Sequence, residues 1–214
     1  PNLHPDNSKI ALVEGDSTFT YSEVDRRANL FASGLLSDTS DLNEDRIAFF
    51  LPASINYVTV MHGVWRAGGI AVPLNVASAV MELEHYLSCA SVTRLIANPE
   101  SHETLAPLCH KLEIRLLSVD EVMATTAAEL PHVSEDRRAM MLFTSGTTNK
   151  PKGGVSTHQT IKAQITTLIE AWAWSREDVI PLFLPLHHIH GIVNILSCGL
   201  WAGATAVSYT HLRA

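Results

Sequence analysis

The chain has 214 residues, of which 46% are hydrophobic and 17% are charged, and its formal net charge is −7 with a pI of about 5.8. The high apolar content and sparse charge exclude a disordered chain and predict a folded domain with a substantial core. Because the chain is acidic and its lysines and arginines are scattered, we expect no nucleic-acid partner. Cys89, Cys109 and Cys198 suggest neither a disulfide framework nor a zinc site, which favours an intracellular, soluble protein.

Short β-branched runs alternate with helical periodicities along the chain, and the first elements are two strands, 9–13 and 17–20. A helix then starts at a capping box of Thr20 and Glu23 and extends to Leu36. Further strands are predicted at 46–51, 70–74, 94–97, 114–118, 139–143, 179–184 and 204–207. Further helices are predicted at 54–66, 81–88, 101–111, 121–130, 157–173 and 191–201. This order predicts an α/β fold with parallel or mixed sheets covered by helices.

Both ends of the sequence have unusual features. The chain begins at Pro1 without Met, so we expect the natural N-terminus and any targeting signal to lie outside it. Residues 208–214 do not continue the strand pattern of 204–207 and are expected to be a foreign or artefactual tail. The stretch 179–212 lacks Asp, Glu, Lys and Arg, but its prolines and histidines favour a buried strand and helix over a transmembrane segment.

The strongest chemical signal is the string Thr144-Ser-Gly-Thr-Thr-Asn-Lys-Pro-Lys-Gly153, directly after a predicted strand. Amides and hydroxyls of such a loop can bind phosphate oxygens while lysine balances their charge, although a solvated strand-to-helix loop would also fit. A Walker A loop is excluded because Pro151 would break the helix that it requires. The candidate phosphate-binding residues are Thr144, Ser145, Gly146, Thr147, Thr148, Asn149, Lys150, Lys152 and Gly153.

The second signal is the string Leu184-Pro-Leu-His-His-Ile-His-Gly191, which follows another predicted strand. His187 and His190 would share a helix face, as metal ligands can, but no carboxylate follows Val179 to complete a ligand set. We therefore expect no metal held by protein side chains. The same string would also fit a capped helix start or histidines packed in the core. Amides at the predicted helix start, where His190 precedes Gly191, could favour an anion.

The string 144–153 resembles the signature of the adenylate-forming superfamily, which includes acyl-CoA synthetases, luciferases and the adenylation domains of peptide synthetases. Asn149 stands where the family usually has Gly, and Asn is the non-glycine residue that best tolerates a positive φ. Two earlier segments, 20–24 and 68–74, are similar to other segments of that family. The resemblance therefore covers 1–207 and implies part of the large N-terminal domain of the adenylate-forming fold.

A series of further strings narrows the resemblance. Ser156-Thr-His-Gln159, Ala171-Trp-Ala-Trp-Ser175, the string 184–191 and Gly199-Leu-Trp-Ala-Gly-Ala204 occur in that order. The series is similar to malonyl-CoA synthetases of the animal mitochondrial type. Without that order, the tryptophans would indicate only packing at a helix end.

The resemblance implies an ATP-dependent acid–thiol ligase that forms an acyl-adenylate and then an acyl-CoA, with Mg²⁺ and with CoA as co-substrate. Lys152 would supply positive charge, whereas Lys150 is variable in the family. His188 would lie beside the reacting carboxylate. The residues implied at the β- and γ-phosphates are Thr144, Ser145, Thr147 and Thr148. The residues implied at the acyl pocket are His187, His188, His190 and Gly191.

The family continues beyond the equivalent of Val207 with a Thr-Glu segment, a Thr-Gly-Asp segment and a C-terminal domain carrying the adenylation lysine. We therefore expect 1–207 to be a partial AMP-binding domain and the chain alone to be inactive. The expected acid is malonate, with a medium- or long-chain fatty acid as the alternative. A malonate-binding arginine, if present, should lie downstream, since Arg176 borders a predicted loop.

Two rival functions come from different classes. One is a non-catalytic remnant, against which the intact string 144–153 argues. The second is an amino-acid-activating domain, which is disfavoured because no Asp lies near His187 and His188. The expected location is the mitochondrial matrix for an animal-type protein and the cytoplasm otherwise.

Overall fold

A computed structural model describes residues 8–144 and 152–208 of the chain. The strands in these residues are β1 (Ile10–Glu14), β2 (Ser17–Thr20), β3 (Arg46–Phe50), β4 (Ile70–Pro73), β5 (Arg94–Ala97), β6 (Arg115–Leu117), β7 (Arg138–Thr144), β8 (Lys152–Thr157), β9 (Val179–Leu182) and β10 (Thr205–Ser208). The helices are α1 (Tyr21–Leu35), α2 (Ile55–Arg66), α3 (Val80–Ala90), α4 (His102–Lys111), α5 (Val119–Met123), α6 (His158–Trp172) and α7 (Cys198–Ala202), with a 3₁₀ turn at Pro99–Ser101 and a π-helix at His190–Ser197.

The strands form two sheets. One has six strands in the order β6-β5-β3-β4-β7-β8, all parallel except β8, which runs antiparallel to β7. The other has four strands in the order β2-β1-β10-β9, parallel except for the β1–β2 hairpin. The α/β fold with mixed sheets that the sequence predicts is therefore confirmed.

Alternate side chains of the six-stranded sheet enter two different cores, as the two-residue period of a strand requires. In β3, Ile47 and Phe49 belong to the larger core, which also contains residues of α1, α2, α6 and the other sheet. Ala48, between them, belongs to the smaller core with residues of α3 and α4. Helices thus cover both faces of the sheet, so a ligand can reach it only at the strand ends and loops.

Local capping determines where the first helices start. Thr20 caps α1, since its hydroxyl accepts from the Glu23 amide while the Glu23 carboxylate accepts from the Thr20 amide, so the predicted capping box is confirmed. Ser54 caps α2 by accepting from the Tyr57 amide at 3.2 Å. These contacts fix the ends of the helices that separate the two sheets.

The sequence pattern does not predict strand β8, because residues 152–157 read as part of the loop after β7. Lys152, Gly153 and Gly154 give this segment no alternation of apolar residues. Its extended state comes from antiparallel pairing with β7. The string 144–153 therefore joins two strands of a hairpin rather than a strand and a helix.

The predicted helix 121–130 is correct only over its first three residues, because α5 starts at Val119 and ends at Met123. Two β-branched residues, Thr125 and Thr126, follow it and favour extended backbone. The amide of Ala128 then donates to the hydroxyl of Ser33 in α1, at 3.0 Å, which replaces a helical hydrogen bond.

The predicted helix 191–201 is present, but its first part is the π-helix His190–Ser197. The Ser197 hydroxyl donates to the carbonyl of Ile192, five residues earlier, at 2.8 Å. A π-helical stretch of this length is rare, and such stretches occur often at functional sites.

The last strand, β10, lies between β1 and β9 and includes Ser208, whose hydroxyl donates to the carbonyl of Ala53. Ser208 thus continues the strand, although the sequence pattern predicts that the strand stops before it. Residues 209–214 lie outside the described residues, so the proposed foreign tail stays a prediction for them. Among residues 8–144 and 152–208, every helix is too short or too polar to cross a bilayer.

Candidate functional site

The two chemical strings both lie where parallel strands end. The phosphate hairpin (residues 144–153) follows β7, and the histidine segment (residues 184–191) follows β9. In open α/β sheets, ligands bind outside the carboxyl ends of the strands, where loops and helix N-termini converge. The fold therefore places both strings at positions suited to binding.

The ends of the phosphate hairpin are held by β-pairing. Thr144 is opposite Lys152, and Phe143 is opposite Gly153. Lys152 is exposed, and among the described residues no carboxylate pairs with it. An unpaired lysine at the mouth of a glycine-containing hairpin fits a phosphate group. The predicted residues Ser145, Gly146, Thr147, Thr148, Asn149 and Lys150 lie outside the described residues.

The histidine segment brings His187 and His188 together, with ring centroids 4.0 Å apart and a tilt of 53°. His187 is half-buried, and burial lowers its pKa, with a smaller contribution from the charge of neighbouring His188. His187 is therefore held as a neutral imidazole, which can both donate and accept a hydrogen bond. His188 is exposed, so a ligand can reach it.

His190 does not stack with the other two histidines and takes part in a side-chain relay. Its Nδ1 is 3.0 Å from Asn194 Nδ2, and Asn194 Oδ1 accepts from Gln164 Nε2. Because Gln164 occupies the Asn194 oxygen, the Asn194 amide donates to Nδ1, which leaves the proton of neutral His190 on Nε2. His190 then presents a hydrogen-bond donor.

Gly191 has a steric role. It is buried, and a Cβ at this position would overlap the carbonyl oxygen of Pro185. The absence of a side chain therefore lets the start of the π-helix pack directly against the main chain of Pro185.

Helix α6 connects the two strings. It begins at His158, immediately after β8, with Thr157 as its cap. The thiol of Cys198, at the start of α7, donates to the carbonyl of Ile165 at 3.9 Å, and Gln164 reaches the π-helix. Burial raises the pKa of Cys198 to about 11, so this thiol packs in the core rather than acting as a nucleophile.

Three contacts at the site could not be found by sequence motifs. Gln164 and Asn194 form the relay to His190, and Tyr57 of α2 donates to the carbonyl of Leu186. The partners of Tyr57 and Gln164 are 129 and 30 residues away along the chain. Only the apolar composition of α2, which indicates a helix buried on all sides, gives any signal for Tyr57.

A protein-held metal has no support from side-chain clustering. Within 8–144 and 152–208, no three His, Cys, Asp or Glu side chains are grouped as metal ligands would be. The side-chain donors that the described residues supply at the site are imidazoles and a lysine, which suit anionic organic ligands.

Comparisons with known proteins agree with this geometry. Residues 2–214 match the AMP-binding enzyme family. The chain is 37% identical over 217 residues to the mitochondrial malonate–CoA ligase ACSF3 of Mus musculus, covering 96% of this chain and 37% of that protein. It is 38% identical over 210 residues to the Homo sapiens protein of the same name, covering 93% and 36%.

Among solved structures, ATP-bound MatB from Rhodopseudomonas palustris superposes with a TM-score of 0.86 at 24% identity, covering 96% of this chain and 44% of MatB. This likeness confirms the expected fold, the N-terminal part of the adenylate-forming architecture. The chain spans little more than a third of the length of the curated relatives described above. From its family match and its relatives, the chain belongs to the AMP-binding enzyme family.

Proposed function

We propose that the chain is the phosphate- and acyl-binding portion of an ATP-dependent acid–thiol ligase, with malonate as the acid. The observation that carries this proposal is the placement of the phosphate hairpin and the histidine segment at strand carboxyl ends, connected by α6. The names of the mouse and human relatives support malonate.

In the proposed first half-reaction, a carboxylate oxygen attacks the α-phosphorus of ATP, the bond to the bridging oxygen breaks, and pyrophosphate leaves. Lys152 and the amides and hydroxyls of the phosphate hairpin would hold the β- and γ-phosphates and offset the charge on the leaving group. Mg²⁺, when bound to ATP, would neutralise further phosphate charge. In the second half-reaction, the CoA sulfur attacks the acyl carbon and AMP leaves.

The histidine segment would bind and orient the acid. Neutral His187 can donate a hydrogen bond to a carboxylate oxygen without adding a full positive charge, so the carboxylate remains a nucleophile, and His190 can donate through Nε2. His188, which is exposed beside His187, would contact the reacting carboxylate. The location proposed for the protein is the mitochondrial matrix, because the mouse and human relatives are named as mitochondrial.

The experiment is an assay of AMP release with ATP, Mg²⁺ and CoA, using the protein translated from the complete reading frame of the gene. Malonate is compared with butyrate and with a long-chain fatty acid. Malonate-dependent AMP release supports the proposal, and a preference for the fatty acid supports the alternative substrate. If no acid gives AMP release, the ligase assignment is wrong and a non-catalytic binding protein is favoured.

The same assay applied to the 214-residue chain tests the expectation that it is inactive alone. Acyl-adenylate formation by this chain would contradict that expectation. The ligase assignment itself would stand in that case.

A further inference from the structure

The main chain directly before His187 is held by a side chain from the helical layer between the two sheets. Tyr57 of α2 is fully buried, and its hydroxyl donates to the carbonyl oxygen of Leu186 at 2.8 Å. Its ring also packs edge-on against Phe49 of β3, with centroids 5.1 Å apart. Tyr57 therefore connects the six-stranded sheet to the histidine segment through one directional contact.

The start of α2 is itself fixed by the four-stranded sheet. The Glu14 carboxylate, at the end of β1, accepts from the Ile55 amide at 2.8 Å. The Ser208 hydroxyl, at the end of β10, donates to the Ala53 carbonyl. Together with the Ser54 cap, these contacts hold the first turn of α2 against both strand ends, so the Tyr57 hydroxyl has a defined position.

Loss of the hydrogen bond from Tyr57 would destabilise the folded chain. Leu186 is buried, and a buried carbonyl without a partner is strongly disfavoured. Burial also raises the pKa of Tyr57 well above its ordinary value, so the hydroxyl keeps its proton and remains a donor at neutral pH.

We propose that Tyr57 is a positioning residue of the acyl-binding site, whose hydroxyl fixes the Leu186–His187 peptide and thereby the placement of the His187–His188 pair. Its effect on substrate rests on the proposed function, because the carboxylate is assigned there to these histidines. Its effect on the histidine segment does not depend on any substrate.

The fold contains a matched control for this proposal. Tyr21 is also fully buried, and its hydroxyl donates to the carbonyls of Ala204 at 2.6 Å and Leu200 at 3.2 Å. These carbonyls lie at α7 and the start of β10, away from the histidine segment. Replacing either tyrosine with Phe removes one buried hydroxyl and leaves the ring in place.

The experiment compares Tyr57→Phe with Tyr21→Phe in the ¹⁵N-labelled 214-residue chain. Both substitutions are expected to lower the thermal unfolding midpoint. Only Tyr57→Phe should shift the ring signals of His187 and His188, raise the pKa of His187 towards its ordinary value, and speed amide exchange in 186–191 roughly tenfold. Equal effects of the two substitutions on the histidine segment would overturn the proposal.

A measurement on the unmodified chain keeps the proposal testable if Tyr57→Phe does not fold. The hydroxyl proton of Tyr57 should exchange slowly with solvent, as a buried donor does, and rapid exchange would overturn the proposal. In the ligase assay, Tyr57→Phe should raise the KM for malonate more than the KM for ATP. An unmodified protein that releases no AMP would count against the ligase assignment alone, since the histidine signals are read without substrate.

Discussion

At the amino ends of β3, β4 and β7, Arg137 donates to both carboxylate oxygens of Asp41, at 2.7 and 2.9 Å, and to the carbonyl of Gly68 at 2.6 Å. At the carboxyl end of β7, by contrast, Lys152 has no carboxylate partner among the described residues, and His188 after β9 is exposed. Charges at the amino edge of the six-stranded sheet are matched within the protein, whereas Lys152 at its carboxyl edge and His188 after β9 of the other sheet are exposed to solvent.

The matched edge is an amino-edge clamp, made of Asp41, Glu44, Gly68, Arg137 and Arg138. Hydrogen bonds from Arg137 and Arg138 lower the pKa of Asp41 and Glu44, respectively, so both carboxylates stay ionised. Glu44 lies in a backbone region that side chains rarely adopt, with φ at 66°. The comparison indicates that charge pairing at the amino edge stabilises the fold despite the local strain at Glu44, and we propose that the exposed groups after β7 and β9 serve ligands.

The largest predicted effect concerns the clamp. Gly68 has φ at +79°, and a Cβ there would overlap Asp41 Oδ1 and Arg137 Nη2. Gly68→Ala should lower the free energy of unfolding by about 3 kcal/mol or more, because it adds backbone strain and displaces a half-buried ion pair. Urea unfolding of the chain measures the loss.

Gly15→Ala is the matched control for Gly68→Ala. Gly15 also has a positive φ, at +58°, but no heavy atom lies within 4 Å of the added Cβ. We expect a loss of about 1 kcal/mol from strain alone. Equal losses for the two substitutions would show that the clamp does not constrain this edge.

A second prediction concerns a histidine that is buried in the scaffold, outside the histidine segment. His62 is buried, its Nε2 has no hydrogen-bond partner among the described residues, and burial, followed by the charge of Arg66, lowers its pKa to about 3. The unfolded chain therefore binds the additional proton between the two pKa values. The stability that depends on neutral His62 is therefore fully present above about pH 6.5. As the pH falls from there towards 3, the free energy of unfolding decreases by about 1.4 kcal/mol per pH unit.

His62→Phe tests this prediction, since it keeps a buried ring and removes the titration. The dependence of the free energy of unfolding on pH between 4 and 6.5 should become shallower, with a remainder from His158 and His187, whose pKa values burial also lowers. Urea unfolding at several pH values measures the slope. An unchanged slope would mean that His62 is solvated or paired in the folded state.

The smallest predicted effect is a change in the site of one proton. Gln164→Glu replaces a donor with an acceptor, so the Asn194 amide should rotate and present its oxygen to His190 Nδ1. The proton of neutral His190 should then move from Nε2 to Nδ1, with a stability change below about 0.5 kcal/mol. Ring ¹⁵N shifts report the tautomer directly.

Gln159→Glu supplies the control for Gln164→Glu. It makes the same change of charge on the same helix, at an exposed position outside the relay. If both variants leave the proton on Nε2, the relay does not set the tautomer of His190.

Much of the scaffold could be predicted because its strands are apolar on both faces and its helices carry recognisable caps, such as Thr20 with Glu23. Strand β8 could not, since its extended state depends on pairing with β7 rather than on its own residues. The end of α5 likewise depends on Ser33, which lies in another helix.

The site divides in the same way. The residues of the phosphate string follow one another in the sequence, and the three histidines lie close together in a second string. The chemistry of each string could therefore be predicted from its residue types. The contacts that hold the histidine segment come from Tyr57 and, through Asn194, from Gln164, and no local pattern links residues 129 or 30 positions apart. Sequence therefore predicts which groups are candidates for binding a ligand, and the fold determines how they are held.

The most direct test of the central claim is a titration of the ¹⁵N-labelled 214-residue chain with Mg·ATP, alongside Lys152→Ala and Lys162→Ala. Lys162 is a matched exposed lysine outside the phosphate hairpin, paired with Glu135. We predict amide shifts at 144–153 and at the start of α6, with Kd raised roughly tenfold or more by Lys152→Ala and unchanged by Lys162→Ala. Equal affinities for the two variants, or shifts confined to other parts of the chain, would contradict the assignment of the phosphate hairpin.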